Sequence, residues 1–171
     1  MRVVKLTPDY TFKAFDCGNA DLNDFLLNDA KLYLAKKLSV TYILEDENGI
    51  IGYFSLSNDK LTVNDVGKSI WRKIKRQFDH SKHRSDYPAV KIGRLAVNRL
   101  YQDQDIGTDI LNFVKTMFTE SNRAGCVFVT VDALNDVVGF YSKNSFKVLD
   151  PLQMNVGGMT VPMYYNLLEL L

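Results

Sequence analysis

Two stretches of this sequence carry residue types that can bind or move charge. The first runs GRLAVNRLYQDQDIGTDIL, from Gly93 to Leu111. A strand-like apolar run breaks into a polar loop, and a helical apolar period starts at Ile106. A helix N-terminus leaves backbone N–H groups unpaired and carries partial positive charge, so such a loop can hold a phosphate. Gln102, Asp103, Gln104, Asp105, Ile106, Gly107 and Thr108 would supply the N–H groups, with Gly107 allowing close approach. Asp103 and Asp105 put two carboxylates in the same loop, and Asp105 is placed to cap the helix through its side chain. An ordinary strand-to-helix turn reads the same way, because one glycine is not specific. The second stretch is FYSKNSF, Phe140 to Phe146. Tyr141, near the end of a short helix, offers a phenol of ordinary pKa about 10, a general acid if it faces a cleft and a packing residue otherwise.

Other chemistry finds less support. Cys17 and Cys126 lie far apart with no metal spacing, and two histidines, His80 and His83, do not suggest a zinc site. The expectation is no metal and a reducing, cytoplasmic setting. No apolar run approaches the roughly 20 residues of a membrane span, and no secretion signal is evident at the start. Between Lys68 and Arg84 stand seven basic residues and one acid, so this block is +6 and the rest of a chain of net charge +1 is −5. Arg72, Lys73, Lys75 and Arg76 could meet a nucleic acid there; a solvated helix face is the other reading.

The elements that must position these residues follow from periodicity. With 171 residues, 46% of them apolar, the chain suits one globular domain over 1–171. Val3 to Leu6 reads as a short strand. Leu22, Phe25, Leu26, Ala30, Tyr33, Leu34 and Leu38 follow the spacing of one helical face, with Asn19 or Asp21 as its cap. SVTYILEDENGIIGYFSLS reads as a hairpin turning at Asn48-Gly49. Val66, Ile70, Ile74 and Phe78 suggest a helix in an irregular region that Pro88 ends. AVKIGRLAV is a strand, Ile106 to Phe118 a helix, and CVFVTVDAL a strand buried on both faces. Asn135 to Lys143 is a short helix, and VPMYYNLLEL a closing strand. The order β-α-β-β-(irregular)-β-α-β-α-β-β predicts an α/β domain around a mixed sheet.

Together these pieces resemble the GCN5-related N-acetyltransferases (GNATs). That family's acetyl-CoA loop reads Gln/Arg-x-x-Gly-x-Gly/Ala after a strand. Here it is Gln102-Asp103-Gln104-Asp105-Ile106-Gly107, with Asp105 in place of the middle glycine. The family's late Phe-Tyr-x-Lys-x-Gly-Phe appears as Phe140 to Phe146, with Ser145 in place of glycine. A narrower similarity joins FDCGNADLNDFL, PAVKIGRLAV and VPMYYNLLEL to the acetyltransferase toxins of bacterial toxin–antitoxin pairs.

The resemblance implies a single-domain GNAT-like α/β fold, with a mixed, mostly antiparallel sheet flanked by helices. It implies acetyl-CoA as cofactor and transfer of its acetyl group to a primary amine. Backbone groups of Leu95 and Val97 would bind pantetheine like an added strand, and Gln102 through Thr108 the diphosphate. Tyr141 would protonate the departing thiolate. The cofactor asparagine of the wider family stands seven residues before the tyrosine; here Asn135 stands six before. The toxin likeness implies charged tRNA as acceptor, a ribbon-helix-helix antitoxin and a homodimer. An α-amine titrates near pH 8, roughly two units below lysine, and needs less help from a base. The alternatives are a generic small-molecule or protein N-acetyltransferase, and a degenerate member that only binds.

Overall fold

The computed structural model describes residues 1–78, 84–120, 124–150 and 158–170. Among the described residues the strands form a seven-stranded sheet in the order β1-β2-β3-β4-β5-β7-β6. They are β1 (Arg2–Lys5), β2 (Val40–Glu45), β3 (Ile50–Thr62), β4 (Asp86–Val97), β5 (Phe128–Leu134), β6 (Lys147–Val148) and β7 (Thr160–Asn166). The helices are α1 (Ala20–Asp24), α2 (Ala30–Ala35), α3 (Lys68–Lys75), α4 (Ile106–Glu120) and α5 (Val138–Lys143). The expected mixed α/β sheet flanked by helices is what the chain forms. It divides into two compact units, Met1–Ser57 with Ile92–Val114, and Asn58–Lys91 with Lys115–Leu171.

In the first unit, β1 pairs antiparallel with β2, and β2 with β3. The hairpin turns where the sequence indicates: Asp46 Oδ1 accepts the N–H groups of Asn48 and Gly49. Gly52 lets β3 approach β4 closely. A Cβ there would lie 2.9 Å from the Ala96 carbonyl oxygen, closer than packing tolerates. Asn19 caps α1 as expected, its side chain accepting from Leu22 N–H at 3.1 Å. The predicted single helix is instead three segments. A π-turn over Phe25–Asp29 separates α1 from α2, with Ala30 N–H bonding back to Phe25 O. The wider turn aligns residues five apart and lets Phe25, Leu26 and Ala30 share the core with Leu6, Ile43 and Tyr53. Leu38 does not belong to that helical face. Lys37 takes a left-handed φ of 58°, and Leu38 N–H bonds back to Tyr33 O, ending the helix and leaving Leu38 exposed.

In the second unit, β5 pairs antiparallel with β7, and β7 with β6. Helix α3 buries Trp71 and Ile74 in a core with Leu61, Val66, Tyr87, Phe128 and Tyr164. Ile70 and Phe78 are packed against it, so the expected face is real but is centred on Trp71 and Ile74. Two boundaries differ from expectation. Pro88 does not end the preceding element but lies inside β4 as its third residue. Near a strand's start its missing N–H is tolerated, and its carbonyl still accepts from Val127 N–H at 2.9 Å. The closing strand stops at Asn166, whose Oδ1 accepts Leu168 N–H and turns Leu167–Leu170 into a 3₁₀ segment.

Candidate active site

The loop before α4 is held from several sides. Asn98, just after β4, donates its N–H to Ile51 O at 2.8 Å and its amide to Ile50 O at 3.1 Å. Backbone groups along a strand alternate edges. Leu95 and Val97, of opposite parity to Asn98, therefore turn their N–H and C=O groups away from β3. Arg99 N–H bonds Asp16 O, and its guanidinium pairs with the Asp16 carboxylate at 3.4 Å. Gln102 Nε2 donates to both Cys17 O and Val97 O, each at 2.9 Å. Gln104 Nε2 donates to Leu100 O. The amide nitrogens of Gln102 and Gln104 thus shape the loop, leaving an anion to the backbone.

Asp103 and Asp105 adopt left-handed backbone, φ 60° and 59°. The Asp105 carbonyl accepts from Asp109 N–H at 3.0 Å, the first bond of α4. The expected side-chain cap does not form. The exposed Asp105 carboxylate makes no hydrogen bond among the described residues. A capping side chain reaches its N–H groups from extended backbone, and left-handed backbone swings it away. The N–H groups of Ile106, Gly107 and Thr108, in the first turn of α4, meet no acceptor among the described residues.

Tyr141 lies in α5 and is 6% exposed. Its ring meets Phe140 and Phe146 edge-on at centroid distances of 5.1 and 5.4 Å. Burial pushes its phenol up to about 12. Its hydroxyl makes no hydrogen bond among the described residues. The helix closes in a Schellman motif: Ser145 N–H bonds Ser142 O, Phe146 N–H bonds Tyr141 O, and Ser145 takes φ 67°. The motif's usual apolar contact, between the residue after the left-handed one and the helix's last turn, is the Phe146–Tyr141 pair.

Asn135 stands in a 3₁₀ turn and donates its amide to Gly158 O at 3.0 Å, a structural use. Arg72, Lys73 and Arg76 are exposed and Lys75 half-buried, on or just after α3, with no ion pair among the described residues. His80, His83, Asp79 and Lys82 lie outside the described residues. A cavity of about 250 Å³ in the second unit is lined by Asp59, Asp65, Lys91, Thr130 and Asp132 among others. Each of its carboxylates has a partner: Thr130 Oγ1 donates to Asp59, Thr62 N–H to Asp65, and Lys91 pairs with Asp132. None is an idle base.

Sequence reasoning missed Lys115. It is 7% exposed, donates Nζ to Asn144 O at 2.9 Å, and lies 4.1 Å over the Tyr165 ring. Its position four after Leu111, on the apolar face of α4, was the available signal.

The chain's fold recurs in known proteins. The model of the acetyltransferase (GNAT) domain matches residues 17–167. A solved structure of AtaTR bound with acetyl-CoA superposes with a TM-score of 0.75 at 25% identity, covering 98% of this chain and 94% of that one. AtaT complexed with acetyl-methionyl-tRNAfMet gives 0.74 at 24%, covering 99% and 96%. A tyrosine-to-phenylalanine variant of the AtaT toxin, bound to the C-terminus of the antitoxin AtaR and acetyl-CoA, gives 0.73 at 23%, covering 98% and 94%. With a family match running from Cys17 to Leu167, this chain belongs to the GNAT acetyltransferases, enzymes that move an acetyl group from acetyl-CoA to an amine.

Proposed function

We propose that this acetyltransferase acts on the α-amine of aminoacyl-tRNA. The observation that carries the mechanism is Tyr141: buried, raised to about 12, and with a hydroxyl that no described residue engages. Such a phenol stays protonated at neutral pH and is free to protonate a departing thiolate. The likeness to AtaT, of which a tyrosine-to-phenylalanine variant was solved with acetyl-CoA, is in keeping with that role. Leu95 and Val97 offer backbone groups to pantetheine. The N–H groups at the start of α4, with the rest of the Gln102–Thr108 loop, hold the diphosphate. Asn135 contributes little, its amide being engaged with Gly158.

The basic face of α3, through Arg72, Lys73, Lys75 and Arg76, is suited to tRNA phosphates. The AtaT–tRNA complex supports this acceptor class. On the same likeness, a ribbon-helix-helix antitoxin, a homodimer and a cytoplasmic setting complete the reading. Among the described residues no helix is long and apolar enough to cross a membrane. The family match spans most of both compact units, in keeping with one acetyltransferase domain over 1–171.

Incubation with acetyl-CoA and total charged tRNA, followed by mass spectrometry, tests the acceptor. Acetylated aminoacyl-adenosine is expected; acetylation of protein lysines or polyamines alone would favour the generic enzyme. Association with tRNA should weaken steeply with salt. Lys75→Glu with Arg76→Glu should lower it while leaving acetyl-CoA affinity unchanged. The degenerate, binding-only reading is disfavoured by the backbone: Asp105 and Ser145 both hold the left-handed conformation that the family's glycines would adopt freely.

A further inference from the structure

Lys115 is a buried ammonium that the acetyl-transfer scheme leaves unused. Its aliphatic stem comes from the apolar face of α4, and its head lies among aromatic rings, 4.1 Å from the centroid of Tyr165 and 5.7 Å from that of Phe146. Burial holds its pKa below the ordinary lysine value, with Glu169 acting the other way. A buried cation needs a specific reward for desolvation. Here it has the faces of two rings and one strong acceptor, the Asn144 carbonyl at 2.9 Å.

That acceptor is not an arbitrary one. Asn144 is the C-terminal cap of α5. Its N–H bonds back to Phe140 O and Tyr141 O, and its side chain donates to Phe140 O. The left-handed Ser145 and the Phe146 ring follow directly. Two independent contacts therefore run from Lys115 to the frame around Tyr141. One fixes the carbonyl at the end of the helix. The other seats Phe146, the ring on which Tyr141 rests at 5.4 Å.

We infer that Lys115 is a positioning residue for the acid: its ammonium pins the α5 cap and Phe146, and so fixes where the Tyr141 hydroxyl points. The inference rests on Tyr141 being the general acid. A short helix of six residues with no side-chain N-cap has little rigidity of its own. A hydroxyl displaced by about an ångström loses much of its value in proton transfer, on the order of 100-fold in rate.

The test is steady-state acetyl transfer from acetyl-CoA to total charged tRNA, with acetyl-CoA affinity measured separately by calorimetry. Lys115→Met keeps the stem and removes the charge and the donor. It should lower kcat about 10- to 100-fold with acetyl-CoA affinity unchanged. Lys115→Arg, which can still donate to Asn144 O and stack on Tyr165, should stay within about fivefold of wild type. In a Tyr141→Phe background, Lys115→Met should have almost no further effect on kcat, because the group it positions is gone. A loss of folded protein alone, with kcat per folded molecule unchanged in Lys115→Met, would overturn the inference. So would a full Lys115→Met effect persisting in the Tyr141→Phe background. If Tyr141→Phe alone leaves kcat unchanged, the acid assignment fails first and this inference falls with it. An effect of Lys115→Met that vanishes without Tyr141 supports both.

Discussion

The loop before α4 and the cap after α5 present the same departure from the family pattern with different consequences. Asp105 and Ser145 each stand where a glycine is usual, and each takes φ near 60°, at 59° and 67°. Left-handed backbone costs an ordinary L-residue roughly 1–2 kcal/mol, and aspartate tolerates it better than most. Both regions accept that cost. The difference lies in the side chains. Ser145 is neutral and exposed at the rim of a Schellman cap. Asp105 adds a carboxylate, without a hydrogen-bonding partner among the described residues, beside N–H groups suited to an anion. On the proposed function, the same backbone substitution is a matter of stability in one region and of ligand electrostatics in the other.

The largest expected effect separates the two regions by function. Tyr141→Phe removes the proton donor and keeps the ring that packs on Phe146. Turnover should fall by about 10²–10⁴-fold while acetyl-CoA affinity holds; activity within a few-fold of wild type would make the α5 region purely structural. The same assignment fixes the alkaline limb of the rate. A phenol raised to about 12 is protonated, and therefore active as an acid, at every pH below that value. The kcat should not decline between pH 8 and 10, where an ordinary tyrosine would begin to lose its proton. A fall centred near pH 10 in initial-rate measurements would contradict the burial of the acid.

Next in size is the charge at the loop. Asp105→Gly removes a negative group and leaves the left-handed backbone easier to adopt. Acetyl-CoA should bind roughly 3- to 10-fold more tightly at low salt, with most of the gain lost near 1 M salt as screening sets in. Because the carboxylate takes no N–H group of α4, no competition for donors adds to this. Equal or weaker binding in calorimetric titration would mean that Asp105 does not oppose the cofactor, and the contrast with Ser145 would disappear.

The smallest effect belongs to the cap. Ser145→Gly relieves the left-handed strain but loosens the unfolded chain, so stability should rise by less than about 1 kcal/mol. Acetyl-CoA affinity should not move. A change in affinity comparable to that of Asp105→Gly would show that the cap, too, acts on the ligand.

Local features were legible in the sequence wherever the interacting groups lie within a few residues. The Asn19 cap, the Asp46–Gly49 turn, the α3 amphipathic face and the start of α4 all belong to that class. Their hydrogen bonds and apolar periods span two to four positions, which composition and spacing expose. The strand-to-helix loop and the short helix carrying FYSKNSF were legible as local elements for the same reason, while the roles of their residues, and of Leu95 and Val97, come from the resemblance and belong to the proposed function.

What the sequence did not reveal depends on backbone dihedrals or on distant partners. Asp105 read as a cap because residue type alone suggested it, yet its φ of 59° turns the side chain away from α4. Pro88 read as a terminator, yet its carbonyl finds Val127, 39 positions on, and the strand continues. The helix before β2 read as continuous, but packing of Phe25 and Ala30 into the core widened one turn. Lys115 drew no reading from the sequence. Only tertiary structure brings the Asn144 carbonyl, 29 residues away, and the Tyr165 ring to its ammonium. Residue types and short periods were enough to specify which groups can do chemistry. Which way they point is set by contacts between segments far apart in the chain, where no periodic signal survives.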